Sequence, residues 1–411
     1  MGVNNFHKFI KEKYNCIEQN NFISFDNVYI DLNYCLHMCA YISNDINQLY
    51  YNLYKFIDGI LQETQPKISI TFACDGIPPI SKMELQRKRR IIIKNQNNKI
   101  DTSIFTCGTN FMNTLELNMS NYLTYIKNIY KVKINFLDNK IDEAELKLKR
   151  KLMKDKGTRI FVTNDADVIL MLSTLDNYDN VYVYCKNKNE IGILSIKNLI
   201  ECHTNLYGKS KYPNLDFTVI NIMMGNDYFP KLQFITFDKL WDVYKLVIKY
   251  DSNGLVNIDK NKNISFNKDF MTLFMTYLLL SINKRYDKKI NIDTIDKNVY
   301  NSYMDGLLWC IDMYYTGVCT RYNYIFNHKI MPNPYNILIN LPNSKYIVYK
   351  TIYSSPINND LYLLIILPHL STNKEYSKFI KKFNYLYAQP LTTQIIEKLQ
   401  IEFDSYTNSN E

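Results

Sequence analysis

Seven carboxylates stand where the chain could gather them. Asp31 ends the run "NVYID", Asp75 follows "ISITFAC", and Asp165 and Asp167 follow "RIFVTN". Glu143 and Glu145 open "EAELKLKRKL", and Asp227 follows "MGN". One aspartate in such a place is ordinary as a turn residue or a helix N-cap. An acidic first turn is just as ordinary, because it complements the helix dipole. Three separate strands that each stop at an aspartate are harder to explain one by one. Carboxylates crowded at one sheet edge raise each other's pKa and need cations beside them. An all-oxygen donor set suits Mg2+, with Mn2+ as a substitute. Two such ions a few ångström apart clamp the attacking and leaving oxygens of a phosphodiester. Glu143 and Glu145 raise a geometric objection, since residues two apart do not share a helical face. Both reach one ion only if the first turn is splayed or lies side-on.

A second pattern is the stretch "DGIPPISKMELQRKRR", Asp75 to Arg90. With Pro78 and Pro79 ahead of it, a helix here places Lys82, Gln86, Arg89 and Arg90 at i, i+4, i+7 and i+8. That face is cationic where a buried face would be apolar. Arginine's planar fork bonds two phosphate oxygens at once, and lysine adds a point charge. A solvated basic face or a nuclear-import patch is the plain alternative.

These residues need a frame to hold them. Val28–Ile30, Ile68–Ala73 and Ile160–Val162 read as β-type runs, separated by segments long enough for helical crossovers. That alternation predicts an α/β fold with a mostly parallel, twisted sheet and helices on both faces. In such sheets ligands sit beyond the carboxyl ends of the strands, where the aspartates fall. The segment opening at Glu143 predicts a helix with Ala144 and Leu148 facing inward. The run Phe270 to Ile282 is too short to cross a bilayer and reads as a buried helix. The expected organisation is a nuclease core over 1–245, a Lys/Asn-rich surface insertion with one buried helix over 246–300, and a mainly helical segment over 301–411 packing on the core.

Composition narrows the classes. Among 411 residues, 46% are hydrophobic and 22% charged, as in a globular protein with a sizeable core. The formal net charge of +9 favours a polyanionic partner. The 35 tyrosines, with abundant Asn, Ile and Lys, point to AT-rich coding, so a single tyrosine carries little information. Nine cysteines form no C-x-x-C pair and no zinc spacing, which predicts reduced thiols in a cytoplasmic protein. "MGVNNFHKF" has no apolar region of a secretion signal, and Phe6 stands where a myristoylation signal wants Ser or Thr. No membrane association is expected, and a monomer is.

Taken in order, "MGVNNFHKFIKEKY", "FDNVYIDLNYCLH", "FACDGIPPISKMELQRKRR", "TCGTNFMNTLE", "DEAELK", "NDADVILML", "MGNDYFPKL", "YMDGLLWCIDMYYTGV" and "LYLLIILPHLS" resemble the 5′→3′ exoribonucleases of the Xrn family, distant relatives of the flap endonucleases. The resemblance implies a PIN/flap-nuclease-like core and two-metal hydrolysis of single-stranded RNA, one nucleotide at a time, from a 5′-monophosphate end. It implies that Asp31, Asp75, Glu143, Glu145, Asp165, Asp167 and Asp227 are the catalytic, metal-binding carboxylates. Lys82, Gln86, Arg89 and Arg90 would then form the pocket for the 5′-phosphate, too narrow for a triphosphate or cap. His37 falls where the family has a histidine that stacks on the first base. The family's partner tryptophan aligns with "RYNYIF", where Tyr322 or Tyr324 would substitute. Asp142 and Ala144 stand where the family has glycines flanking the paired glutamates. The implied setting is decay of decapped mRNA, with a functional link to a decapping enzyme. The short chain, without the long C-terminal extensions of cellular members, suits a large DNA virus of eukaryotes. A flap-type DNA endonuclease shares the carboxylate plan, but no Gly-rich helix-hairpin-helix follows "MGND" here. A non-catalytic RNA-binding relative is the other alternative, against which all seven acidic positions are filled.

Overall fold

The computed structural model describes residues 3, 5–14, 17–18, 24–93, 99–187, 190–283, 297–348, 352–367, 379, 381–382 and 389–408. The end of "LYLLIILPHLS" and residues 284–296 of the Lys/Asn-rich stretch lie outside them. Packing divides the chain into two compact units. One comprises Asn21–Thr163, Arg321–Ile325 and Tyr353–Glu411; the other comprises Met1–Asn20, Asn164–Thr320 and Phe326–Ile352. This grouping differs from the consecutive stretches 1–245, 246–300 and 301–411.

The first unit holds a parallel sheet of β1 (Asn27–Asp31), β2 (Ser69–Ala73), β3 (Lys133–Leu137) and β4 (Arg159–Val162), in the order β4-β1-β2-β3. The three strands read from sequence are β1, β2 and β4, and Asp31 pairs with Ala73 in the β1–β2 register. Every residue of β1, β2 and β4 is buried. These runs therefore show no polar alternation, as expected where both sheet faces are covered. The edge strand β3 is half-exposed and opens on Lys133.

The crossovers are helical. α1 (Leu32–Ala40) and α2 (Ile46–Thr64) link β1 to β2, while α3 (Ile80–Ile93) and α4 (Asn110–Tyr130) link β2 to β3. α5 (Ala144–Leu152) links β3 to β4. Strand order runs outward from β1 to β3 and then returns past β1 to β4. With right-handed crossovers, that reversal puts α5 on the face opposite the earlier helices. α5 packs on β1 and β2, with Ala144 and Leu148 fully buried.

Near the end of the chain, α6 (Asn359–Ile366) and α7 (Thr393–Asn408) complete this unit. Leu361, Ile365, Leu399 and Phe403 share one core cluster with Ile80 and Met83 of α3. Each such side chain contributes about 1.5–3 kcal/mol on burial. Two of the amides that start α3 are bonded by carbonyls, Ile80 N–H by Tyr322 O at 2.8 Å and Ser81 N–H by Tyr324 O at 3.1 Å. The stretch 321–325 thereby caps the cationic helix.

The second unit has an antiparallel ladder of Ile17–Glu18, Glu190–Ser195 and Val181–Asn187. A three-stranded antiparallel sheet joins Val256–Ile258, Ile264–Asn267 and Tyr346–Val348. The apolar run Phe270 to Ile282 lies in the helix Lys268–Asn283, buried on one side, with Leu280 50% exposed on the other. Among the described residues seven cysteines form no disulfide, and no helix is long and apolar enough to cross a membrane.

Candidate active site

The centre of the first unit lies just beyond the carboxyl ends of β1 and β2. Asp31 is both the last residue of β1 and the N-cap of α1, its side chain accepting the Tyr34 N–H at 3.1 Å. Asn33 is buried and bridges two segments. Its Nδ2 donates to Phe105 O at 3.2 Å, and its Oδ1 accepts the Asp75 N–H at 3.0 Å. Asp75 in turn accepts the Ala144 N–H at 3.0 Å, which ties the end of β2 to the start of α5.

The two segments are zipped further by Gly76 N–H to Asp142 O at 2.7 Å, Ile77 N–H to Lys140 O at 3.2 Å and Asp142 N–H to Ile77 O at 3.2 Å. The zipper needs glycine at 76, because a Cβ there would lie 2.6 Å from backbone atoms of Ile141. Oxygens of Asp75, Glu143 and Glu145 consequently lie within 4.8 Å of one another. The objection to the "EAE" spacing dissolves here. Glu143 is the N-cap, with extended backbone at φ −75° and ψ 157°, so only Glu145 belongs to the helical turn.

The electrostatics fit a cation. Burial holds the Glu145 carboxyl well above the usual carboxylate range; the Lys82 ammonium opposes this, and the charges of Glu143, Asp75 and Asp31 reinforce it. Glu145 Oε2 is sealed from solvent and has no hydrogen-bond partner among the described residues. A sealed carboxylate oxygen without a donor, beside two further carboxylates, is costly unless a cation faces it. An oxygen-only set matches hard divalent ions. Lys147, buried on α5, has its pKa lowered by burial, with Asp75 opposing.

The face of α3 is more divided than its spacing implied. Lys82 is buried and ion-paired with Glu143, so its charge serves the carboxylates. Gln86 Oε1 accepts the Tyr362 hydroxyl at 2.8 Å, and Arg90 Nη1 donates to Thr102 O at 3.2 Å. Burial lowers the Arg90 pKa, though a guanidinium stays cationic. Arg89 is half-buried on the same helix. The His37 ring packs edge-on to Phe105, with centroids 5.3 Å apart. Burial lowers its pKa to about 4, with Arg90 pushing the same way and Asp75 opposing. The ring is thus neutral at pH 7.

Tyr322 and Tyr324 require a correction. They are 7% and 2% exposed, and a stacking base needs an open ring face. The Tyr322 hydroxyl instead donates to Asp142, and the Arg321 guanidinium lies 5.3 Å from the Tyr324 ring centre. The main-chain carbonyls of both cap α3.

The remaining carboxylates lie in the second unit. Asp165 is the N-cap of the helix Ala166–Ser173 and accepts the Asp167 N–H at 2.9 Å. Asp167 Oδ1 accepts the Val3 N–H at 2.8 Å. Asp227 is 9% exposed and follows a turn in which Gly225 has φ +83°. Asn226 fixes that turn, its Nδ2 donating to the Tyr314 hydroxyl at 3.0 Å and its Oδ1 accepting the Tyr228 N–H at 3.0 Å. Sequence reasoning gave no role to Asn33, Asp142, Arg150 or Tyr362. The contacts Asn33–Asp75, Asp142–Tyr322 and Tyr362–Gln86 span 42 to 276 positions, which no local spacing reveals, while Arg150 pairs with Asp142 on the same segment.

Residues 1–99 match the family described as "XRN 5'-3' exonuclease N-terminus". The "5'-3' exoribonuclease 1" of Saccharomyces cerevisiae is 23% identical over 373 residues, covering 74% of this chain and 24% of that protein. The "5'-3' exoribonuclease 1" of Homo sapiens is 26% identical over 140 residues, covering 27% of this chain and 8% of that protein. The chain thus spans about a quarter of the Saccharomyces relative's length. Among solved structures, "The catalytic core of Rad2 in complex with DNA substrate" aligns over 93% of this chain and 99% of that one, with 12% identity and a TM-score of 0.40. That likeness is too low to bear on the reaction.

Proposed function

We propose that the chain, whose residues 1–99 match the XRN 5'-3' exonuclease N-terminus, is an Xrn-family, divalent-metal-dependent 5′→3′ exoribonuclease acting on single-stranded RNA with a 5′-monophosphate. The observation that carries the reading is the convergence of Asp75, Glu143 and Glu145 within 4.8 Å, with one Glu145 oxygen buried and undonated. Those three would hold the metal, and Asp31, Asp165, Asp167 and Asp227 complete the set the resemblance assigns. Bound Mg2+ or Mn2+, as two ions, supplies Lewis acidity and a water of lowered pKa.

The chain's own groups do the rest. Asn33 and the Ala144 amide hold the Asp75 main chain and carboxylate in register. Lys82 offsets part of the local negative charge. Arg89, Arg90 and Gln86 on α3 bind the terminal phosphate, and a guanidinium has five donors with which to do so. His37, uncharged at neutral pH, offers an aromatic ring to the first base. The setting that follows is cytoplasmic turnover of decapped RNA downstream of a decapping enzyme, by a monomer.

The test is digestion of one end-labelled RNA carrying a 5′-monophosphate, triphosphate or hydroxyl, beside a single-stranded DNA and a DNA flap, with Mg2+. Mononucleotides released from the monophosphorylated RNA alone support the proposal. Cleavage at the flap junction with RNA left intact sinks it.

A further inference from the structure

The residue preceding the paired glutamates adopts a conformation that L-amino acids rarely take. Asp142 has φ +64°, in the left-handed region that favours glycine. The residue is 8% exposed, and both carboxylate oxygens are engaged. Oδ2 lies 2.7 Å from Arg150 Nη1, and Oδ1 accepts the Tyr322 hydroxyl. Its main chain is fixed as well, the carbonyl by Gly76 N–H at 2.7 Å and the amide by Ile77 O at 3.2 Å. The next residue, Glu143, is the N-cap of α5, and the one after, Ala144, bonds Asp75. Any rotation at 142 therefore swings Glu143 and Glu145 and shifts the Ala144 amide that Asp75 accepts.

We propose that the Tyr322–Asp142–Arg150 contact is a positioning device, which holds residue 142 in the left-handed region and so aims Glu143 and Glu145 at the metal. The inference rests on the metal-centre reading. Glycine would adopt this φ unaided; here a side chain needs two partners to be kept there. Tyr322 comes from 180 positions away, so the device also fastens the 321–325 stretch to the centre. The same stretch caps α3, which couples the placement of the cationic helix to that of the carboxylates.

Glycine at 142 should rescue the loss of the Tyr322 hydroxyl. Where residue 142 is glycine, the Tyr322 hydroxyl is dispensable. Mn2+ titrations would compare the parent with Tyr322→Phe, Asp142→Gly and the double variant, all as the full chain. Tyr322→Phe should weaken Mn2+ binding about tenfold, the scale of outer-shell substitutions at metal sites. The double variant should bind like Asp142→Gly alone. Equal weakening by Tyr322→Phe in both backgrounds overturns the proposal, because the tyrosine would then act through its packing. No weakening in the parent overturns it too. A parent that binds no Mn2+ refutes the metal reading itself. In that case melts in EDTA still report whether Tyr322→Phe destabilises the parent and not the Asp142→Gly background.

Discussion

Replacing Gly76 with alanine tests whether the end of β2 and the start of α5 approach as closely as the centre requires. The added Cβ would lie 2.6 Å from both the N and C atoms of Ile141 and 2.7 Å from Asp142 O. All three are backbone atoms, so no side chain can swing aside. Restoring an ordinary 3.4 Å contact from 2.6 Å moves the loops apart by about 0.8 Å. Overpacking of this kind costs about 1–3 kcal/mol. Loosening the Gly76 N–H to Asp142 O hydrogen bond adds about 1 kcal/mol, which brings the expected loss to about 2–4 kcal/mol. A displacement near 1 Å at a catalytic group costs about 10²-fold in rate. Gly59→Ala is the matched control, since nothing lies within 4 Å of its Cβ in the middle of α2. There the same methyl group should stabilise by about 0.5–1 kcal/mol. The assay is a pair of urea unfolding curves in EDTA with single-turnover digestion of 5′-monophosphorylated RNA in Mg2+. A Gly76→Ala protein with the parent's midpoint, cleaving within about threefold of its rate, refutes the close approach.

Substitutions at three further places test the same geometry. Glu145→Gln should lower the rate at least about 10²-fold, roughly 2.7 kcal/mol of barrier, while RNA affinity persists through phosphate contacts. The raised Glu145 pKa means the folded, metal-free protein binds more protons than the unfolded chain above the ordinary carboxylate range, so stability falls there as pH rises. Glu145→Gln should remove that loss; melts in EDTA at pH 5 and pH 8 that move in parallel for both proteins would contradict it. For His37 the sign is opposite. With its folded pKa at about 4, the unfolded chain binds the extra proton as pH falls below about 6.5, so stability declines over that window. His37→Phe should flatten the decline and keep more activity than His37→Ala, and a decline unchanged by His37→Phe would exclude this histidine as its source. Arg89→Ala with Arg90→Ala should abolish the preference for 5′-monophosphate over 5′-hydroxyl RNA; intact discrimination would remove the phosphate role from α3.

Local chemistry was enough to read most of the frame. Continuous apolar runs gave β1, β2 and β4, because strands covered on both faces cannot alternate. The prolines and the charge spacing gave α3, and the inward positions Ala144 and Leu148 gave α5. The clustering of Asp75, Glu143 and Glu145 was legible only as a set of candidates, since spacing alone forbade Glu143 and Glu145 from sharing a face. The extended backbone of the Glu143 N-cap resolves that, and a cap conformation follows from the helix boundary that packing selects.

By itself, then, the sequence determined the element types, the acidic ends of the strands and the excess of positive charge on α3. These depend on residues within a turn or two of each other. The tertiary structure alone decided which partners meet. Lys82 faces Glu143, and Asn33 holds Asp75. Tyr322 is withdrawn from solvent to hold Asp142 in a glycine-like backbone. Such contacts join residues far apart in the chain through single hydrogen bonds and ion pairs. They leave no period in the sequence, because one partner's identity places no constraint on its own neighbours.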